Sequence, residues 1–211
     1  MKNIHTKHVF LLTVPLFLLI LFTSGIYAQE AKKVKEHIFS IDAYNRLKTI
    51  SNTFLIDVRT RAEYQFIGHP EDANLFPYMF MTDKLEKVGD GYEYQYQKNE
   101  AFVEEISKKF NKTDNLLIIC RDGKRSASAA KELAENGFEN VFNVMDGFEG
   151  IEFPSNKDAD MVKWKWFKNL ARQNSITGFK HRRHYGWQWW GLPWTYDMDQ
   201  KYLYPPDLPK K

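Results

Sequence analysis

The chain has 211 residues, of which 43% are hydrophobic and 27% charged, so it contains enough apolar side chains for one core of ordinary size. Its formal net charge is +3. Without residues 1–28, which carry two lysines and no acidic residue, 28 basic residues stand against 27 acidic ones. This near-neutral balance gives no electrostatic reason to expect a nucleic-acid partner.

Residues 1–28 have the pattern of an export signal. Lys2 and Lys7 precede an apolar run from Val9 to Phe22, and small residues then lead to Ala28. The run is shorter than the roughly 20 residues that a membrane-spanning helix needs. We therefore expect cleavage after Ala28, a periplasmic or secreted protein, and no stable membrane insertion of the mature chain. An uncleaved N-terminal anchor is the alternative.

After a flexible lead-in at 29–37, apolar runs alternate with helical periodicity. The pattern predicts, in chain order, a strand at 37–40, a helix at 41–50, a strand at 54–59, a short helix capped by Thr60 and Glu63, a strand at 73–77, a helix at 99–110, a strand at 116–119, a helix opened by Ser126 and ended by Gly137, and a strand at 141–144. Residues 78–98 receive no assignment beyond a turn signal at 89–91.

Alternating strands and helices of this kind indicate an α/β fold with a parallel sheet covered on both faces. In such a sheet the ligand site lies beyond the carboxyl ends of the strands. Asp57 and Arg59 follow one predicted strand, and Cys120 follows another. We therefore expect these residues at one edge of the sheet.

Cys120, the only cysteine, lies where a buried strand meets a helix. The peptide N–H groups of a helix N-terminus and the charges of Arg121, Lys124 and Arg125 favour a thiolate over a thiol. The position thus predicts a nucleophile that needs no neighbouring histidine. A buried cysteine that packs as a small hydrophobic residue is the structural alternative.

Two segments resemble the signatures of rhodanese-type sulfurtransferases. The first is Leu-Ile-Asp-Val-Arg-Thr-Arg-Ala-Glu-Tyr at 55–64, followed by Gly-His-Pro at 68–70. The second is Cys-Arg-Asp-Gly-Lys-Arg-Ser at 120–126, continued by Gly-Phe-Glu-Gly at 147–150. The resemblance covers residues 38–151 as a single module of the exported type, and it implies a five-stranded parallel sheet between helices.

The resemblance also implies sulfur transfer through a persulfide on Cys120, with no other cofactor. The implied substrates are a small anionic donor such as thiosulfate and an acceptor that is a thiol, cyanide or a protein. The loop expected to surround the sulfurs comprises Arg121, Asp122, Gly123, Lys124, Arg125 and Ser126. In this interpretation Arg121 and Lys124 point outward and attract the anionic donor, while Arg125 closes the loop.

Two other functions stay open. Phosphatases and arsenate reductases of related fold place five residues between cysteine and arginine, whereas four residues separate Cys120 from Arg125. The shorter loop fits one sulfur atom better than a tetrahedral oxyanion. A non-catalytic rhodanese-like binding module is the other alternative. The six histidines show no spacing typical of metal ligands, so no metal site is predicted.

Asp57, Arg59 and Glu63 are expected to support the site from outside the loop. Asp57 would anchor neighbouring backbone or a loop arginine, and Arg59 would pair with Glu63, four residues further on. Ordinary fold-stabilising ion pairs explain these residues equally well. His69 is expected to be a turn residue before Pro70.

The extension at 152–211 contains all six tryptophans, interleaved with basic residues. Its motifs Gly186-Trp187 and Gly191-Leu192-Pro193-Trp194 resemble a C-terminal tail of some single-module family members. The composition also suits a single-stranded nucleic-acid platform or a membrane-interface belt, although expected export argues against the first. We favour aromatic side chains that fold back over the module in irregular structure. A partner-docking surface is the remaining alternative.

Overall fold

The computed structural model describes residues 34–151 and 185–204. The predicted signal peptide lies outside these residues, as do most of the lead-in and the larger part of the extension. Within the two described ranges, no helix is long and apolar enough to cross a membrane.

The described chain contains nine strands and four α-helices, with a short 3-10 helix at Gln200–Tyr202. In chain order these elements are β1 (Glu36–Ile38), α1 (Ser40–Thr49), β2 (Thr53–Asp57), α2 (Arg61–Phe66), β3 (His69–Pro70), β4 (Asn74–Leu75), β5 (Met79–Val88), β6 (Gly91–Lys98), α3 (Phe102–Lys109), β7 (Asn115–Ile119), α4 (Lys124–Glu135), β8 (Asn140–Val144) and β9 (Trp194–Thr195).

The predicted five-stranded parallel sheet is confirmed. Its order is β1-β8-β7-β2-β4, and every neighbouring pair is parallel. The last four residues of the central strand β7 have an exposed fraction of 0%, as expected for a strand covered on both faces. The first strand takes in Glu36 and His37, which the sequence pattern placed partly in the lead-in.

Local signals fixed the start of α2 but not the start of α4. Thr60 and Glu63 form the predicted capping box, in which each side chain accepts from the other residue's backbone N–H. The prediction that Ser126 opens α4 is wrong, because the helix begins at Lys124 and Gly123 occupies the N-cap position with φ of +87°. Ser126 lies within the first turn and is buried.

The unassigned segment forms an antiparallel hairpin, β5–β6, that is separate from the main sheet. Its strands pair from Met79 opposite Lys98 to Val88 opposite Gly91, with one irregularity between Met81 and Leu85. Almost all of its side chains are exposed. Its contacts with the described part of the module lie at its base, where Phe80 packs against the core and Lys98 binds Glu132.

The described part of the extension packs on the module. Trp187 and Leu192 belong to the hydrophobic core, and β9 pairs antiparallel with β3. Asp146 links three segments, because one carboxylate oxygen accepts from the backbone and hydroxyl of Ser40. Its other oxygen accepts from the Gly186 N–H and the Trp190 indole N–H. A buried carboxylate thereby joins the extension to the start of α1.

Candidate active site

Cys120 lies at the carboxyl edge of the sheet, directly after β7. Ile119 pairs with Asp57 at the end of β2, so the two segments singled out in the sequence meet at this edge. The Cys120 side chain is fully buried. Its sulfur accepts a hydrogen bond from the Ser126 hydroxyl over 3.3 Å. The Cys120 sulfur is therefore held by the first turn of the helix that follows it.

The turn at residues 145–150 supports the cysteine loop through backbone hydrogen bonds. The Phe148 N–H donates to the Cys120 carbonyl over 2.8 Å, and the Glu149 N–H donates to the Arg121 carbonyl over 3.0 Å. A Cβ at Gly123 would lie 1.9 Å from the Met145 carbonyl oxygen. Glycine at position 123 is thus required both by its left-handed backbone and by this close approach.

Arg125 binds Glu63 at the start of α2. Its Nη1 donates to Oε2 over 2.8 Å, and its Nη2 donates to Oε1 over 2.5 Å. The same Glu63 carboxylate accepts from the Thr60 N–H, so one side chain joins the cap of α2 to the first turn of α4. Arg125 thereby connects the cysteine loop to α2, and its role in closing the loop stays a prediction.

The pair shifts both pKa values. Burial raises the pKa of Glu63, but hydrogen bonds and charge from Arg125 outweigh it, so the pKa falls to about 2. Burial lowers the pKa of Arg125, whereas Glu63 and, more weakly, Cys120 and Tyr96 raise it above its ordinary value. Both groups are therefore charged over the whole range in which the protein would work.

The other two cations of the loop also have carboxylate partners. Arg121 Nε lies 3.3 Å from the buried Glu149, and Lys124 Nζ lies 3.8 Å from Asp122. Lys124 is 84% exposed, whereas the Arg121 side chain is 33% exposed. Arg121 and Arg125 are thus paired with buried or half-buried carboxylates, whereas Lys124 keeps an exposed ammonium 3.8 Å from Asp122.

The expected pairing of Arg59 with Glu63 is wrong. Arg59 instead binds Asp57, which accepts from its Nη2 over 2.6 Å and from its backbone N–H over 3.0 Å. Both side chains are fully buried. Arg59 also donates to the Gly68 carbonyl and lies 4.2 Å from the centre of the Phe148 ring. The Asp57–Arg59 pair therefore packs beneath the turn at 145–150, which supports the cysteine loop.

The role of His69 was missed in the sequence. It is buried in β3, its ring stacks on Tyr64 with centroids 3.6 Å apart, and Nε2 lies 3.1 Å from the Asp197 carbonyl. Burial lowers the pKa of His69, so the ring is neutral at pH 7. The histidine therefore fastens the extension to the module. No signal in the sequence connects positions 69 and 197.

Glu149 belongs to the Gly-Phe-Glu-Gly motif at 147–150, and the sequence predicted no role for it. Its position behind Arg121 depends on the approach of the turn at 145–150 to the cysteine loop. In the described part of the chain, no three histidine, cysteine or acidic side chains form a group able to hold a metal ion.

Three comparisons bear on this arrangement. Residues 40–152, slightly more than half of the chain, match the family model of the Rhodanese-like domain. The chain is 35% identical over 131 residues to uncharacterized protein RP600 of Rickettsia prowazekii, which covers 62% of this chain and 98% of that protein. It is 33% identical over 117 residues to Thiosulfate sulfurtransferase 18 of Arabidopsis thaliana, which covers 54% of this chain and 77% of that protein.

One solved structure extends the likeness to the three-dimensional level. The crystal structure of Rv0390 from M. tuberculosis superposes with a TM-score of 0.53 at 25% sequence identity. The superposition covers 78% of this chain and 100% of the other.

Proposed function

Because the chain belongs to the family of rhodanese-like domains, we propose that it transfers sulfane sulfur from a small anionic donor to a nucleophilic acceptor through a persulfide on Cys120. The observation that carries this proposal is the setting of the thiol. A fully buried sulfur accepts a hydrogen bond from Ser126, and the adjacent Arg125 is bound to Glu63.

In the first half-reaction, the Cys120 thiolate attacks the outer sulfur of thiosulfate. A sulfur–sulfur bond forms to Cys120, the bond inside thiosulfate breaks, and sulfite leaves with the electron pair. The Ser126 hydroxyl, 3.3 Å from the cysteine sulfur, donates to the thiolate before the attack. Preorganised N–H groups of the loop would then stabilise the negative charge of the persulfide.

In the second half-reaction, an acceptor nucleophile attacks the outer sulfur of the persulfide. The bond to Cys120 breaks, its electron pair returns to the cysteine, and the thiolate is restored. With cyanide as acceptor the product is thiocyanate, so neither half-reaction needs an external oxidant or reductant. Complete burial of the thiolate between turnovers would limit its contact with oxidants, which suits an exported protein with a single cysteine.

The position of Arg125 counts against a small-oxyanion phosphatase. Arginine often binds phosphate with a forked pair of N–H groups, and here Glu63 already occupies the Nη1/Nη2 edge of Arg125 with two hydrogen bonds. A carboxylate beside a phosphate would also repel it. Sulfur transfer needs no such arginine, because the transferred group is one atom.

The test is thiosulfate exposure followed by intact-mass measurement and turnover with cyanide. We expect the wild-type protein to gain the mass of one sulfur atom and to form thiocyanate, and we expect Cys120→Ser to do neither. Wild-type turnover by Cys120→Ser would end the proposal. A folded wild-type protein that gains no sulfur would favour the binding module instead, and hydrolysis of an aryl phosphate would favour the phosphatase.

We further propose that this activity takes place outside the cytoplasm, after cleavage behind Ala28. The support is the sequence pattern of residues 1–28. N-terminal sequencing of the protein from the exported fraction should begin at Gln29. A retained N-terminus would instead support the uncleaved anchor.

A further inference from the structure

The β5–β6 hairpin exposes a contiguous apolar surface beside the active site. Residues on directly opposed positions of an antiparallel pair share one face. The cross-strand pairs Met81 with Tyr96, Leu85 with Tyr94, and Lys87 with Tyr92 therefore lie on the same side of the ribbon. We call this side the tyrosine face.

The apolar residues of the tyrosine face are largely open to solvent. Their exposed fractions run from 46% for Met81 to 68% for Tyr92. An antiparallel ribbon normally packs its apolar side against a core and leaves its polar side in water. In the hairpin, the apolar side is instead exposed among residues 34–151 and 185–204, and such surfaces often mark sites of protein interaction.

The base of the hairpin is tied to the helix that carries the active-site loop. The Lys98 ammonium and the Tyr78 hydroxyl both reach the Glu132 carboxylate, over 2.8 and 2.9 Å. Glu132 lies eight residues into α4, which is about 12 Å from its start. Lys98 belongs to the tyrosine face, because it alternates with Tyr96 along β6. That face therefore looks towards α4.

The base of the ribbon also contacts the helix that carries Glu63, the partner of Arg125. At this base the Phe80 ring centre lies 5.1 Å from the Arg61 guanidinium at the start of α2, and Glu63 in the same turn binds Arg125 of α4. Tyr94 and Tyr92 continue outward in steps of about 7 Å. The base of the ribbon thus lies against α2 and α4, the two helices joined by the ion pair at the cysteine loop.

The two faces of the ribbon differ in charge. Lys87 lies on the outer part of the tyrosine face, whereas Glu86 and Glu93 lie opposite each other on the reverse face. Lys124, 84% exposed at the cysteine loop, adds positive charge on the side of the active site. The surface that looks towards the site is therefore aromatic with basic groups, and it suits an acidic partner.

The size of the surface favours a short-lived complex. A ribbon with strands of ten and eight residues covers roughly 250 Å² on one face, which is far below what a stable dimer needs. Small contacts of this kind are typical of electron-transfer and other transient complexes. A protein that receives one sulfur atom and then leaves fits that description.

We propose that the tyrosine face, together with the mouth of the cysteine loop, docks an acidic protein whose thiol accepts the sulfur held by Cys120. This inference rests on the proposed function. An attacking thiolate takes the outer sulfur and the bond to Cys120 breaks. If the partner carries a second thiol, that thiol displaces sulfide, so the dithiol is oxidised to a disulfide and the transferred sulfur is reduced.

The test uses reduced thioredoxin as the probe, because it is an acidic protein with an exposed dithiol. Cys120 is first loaded with sulfur from thiosulfate, and the rates of sulfide release to thioredoxin and of thiocyanate formation with cyanide are then measured. Tyr92→Thr/Tyr94→Thr, which keeps residues suited to a strand, should lower the thioredoxin rate by about tenfold or more and change the cyanide rate by less than about twofold.

The matched control is Glu86→Thr/Val88→Thr on the reverse face, which should leave both rates within about twofold of wild type. Equal thioredoxin rates for the tyrosine variant and wild type would overturn the proposal. So would a wild-type dimer in sedimentation that the tyrosine variant dissociates, since the occupant would then be a second copy of this chain.

A different result would show that the proposed function, rather than the docking surface, is wrong. If wild-type protein takes no sulfur from thiosulfate, the chemistry is wrong, and docking is then judged by direct binding of reduced thioredoxin to Cys120→Ser protein. The dissociation constant should rise about tenfold when Tyr92→Thr/Tyr94→Thr is added. An unchanged constant would overturn the docking surface independently of the chemistry.

Discussion

The cysteine loop and the β5–β6 hairpin lie near the same edge of the sheet, yet they are stabilised in opposite ways. Cys120 and Ser126 are fully buried, and the charged side chains around them pair with carboxylates. The hairpin has regular cross-strand pairing but leaves its tyrosines exposed. A loop fixed by buried contacts can hold one atom in place, whereas an exposed aromatic ribbon is suited to binding other molecules. Substitutions in the two regions should therefore affect different properties.

The largest effect on stability is expected at the buried Asp57–Arg59 pair beneath the cysteine loop. Asp57→Ala leaves the buried Arg59 guanidinium without its carboxylate, so it should lower the free energy of unfolding by about 3–5 kcal/mol. Urea unfolding at neutral pH measures this loss. The matched control is Glu36→Ala, which breaks an exposed pair with Arg46 and should cost about 1 kcal/mol or less. Similar losses of unfolding free energy in both variants would show that the buried Asp57–Arg59 pair stabilises the fold no more than an exposed pair does.

The Glu63 pair should make stability depend on pH. Since folding lowers the pKa of Glu63 from 4.5 to about 2, its contribution is complete above pH 4.5 and is lost as the pH falls towards 2. For wild type that contribution is on the order of 3 kcal/mol.

The check is the difference in unfolding free energy between wild type and Glu63→Gln. The glutamine keeps the capping box but not the charge, so the difference should be largest at neutral pH and should shrink between pH 5 and pH 2. A difference that does not vary with pH would contradict the assignment of the low pKa to Glu63.

A smaller effect, on the rate of persulfide formation, is expected when the hydrogen bond to the Cys120 sulfur is removed. Ser126→Ala removes the hydroxyl that lies 3.3 Å from the cysteine sulfur. A hydrogen bond of this kind contributes about 0.5–1.5 kcal/mol, so persulfide formation should slow by about 3- to 10-fold in single-turnover measurements. Ser128→Ala, an exposed position on the same helix, is the control and should not change the rate. Equal rates for both variants would remove Ser126 from the mechanism.

The smallest effect on stability is expected in the hairpin. Tyr92→Thr/Tyr94→Thr alters two exposed positions, each of which should change the free energy of unfolding by less than about 0.5 kcal/mol. Thermal unfolding and urea unfolding both measure it. A loss comparable with that of Asp57→Ala would mean that the tyrosine face packs on the module, and the contrast between loop and hairpin would disappear.

The hairpin also shows why one segment could not be assigned from the sequence. Tyr92, Tyr94 and Tyr96 alternate with polar residues, and Gly89-Asp90-Gly91 supplies a turn, so β6 carried a strand signal. The irregularity between Met81 and Leu85 breaks the same alternation on β5. The hydrophobic pattern was therefore incomplete on one strand, and a ribbon outside the core needs no such pattern.

The main sheet and the cap of α2 were predictable because their signals are local. Continuous apolar runs identify buried strands, and the contact between Thr60 and Glu63 spans only three residues. The start of α4 was misplaced for the opposite reason. Serine is a good N-cap, but packing of Gly123 against Met145 fixes the turn, and Ser126 bonds to the cysteine sulfur instead.

The sequence by itself determined the parallel sheet and the placement of Cys120 between a buried strand and a helix, because hydrophobic periodicity and residue spacing act within a few positions. Only the tertiary structure decided that Arg59 binds Asp57, that Arg125 binds Glu63 and that His69 contacts the extension. The physical reason is that a charged or polar side chain bonds to whichever partner lies within about 3 Å after the elements have packed. For Arg125 and His69 that partner lies more than 60 residues away in the chain.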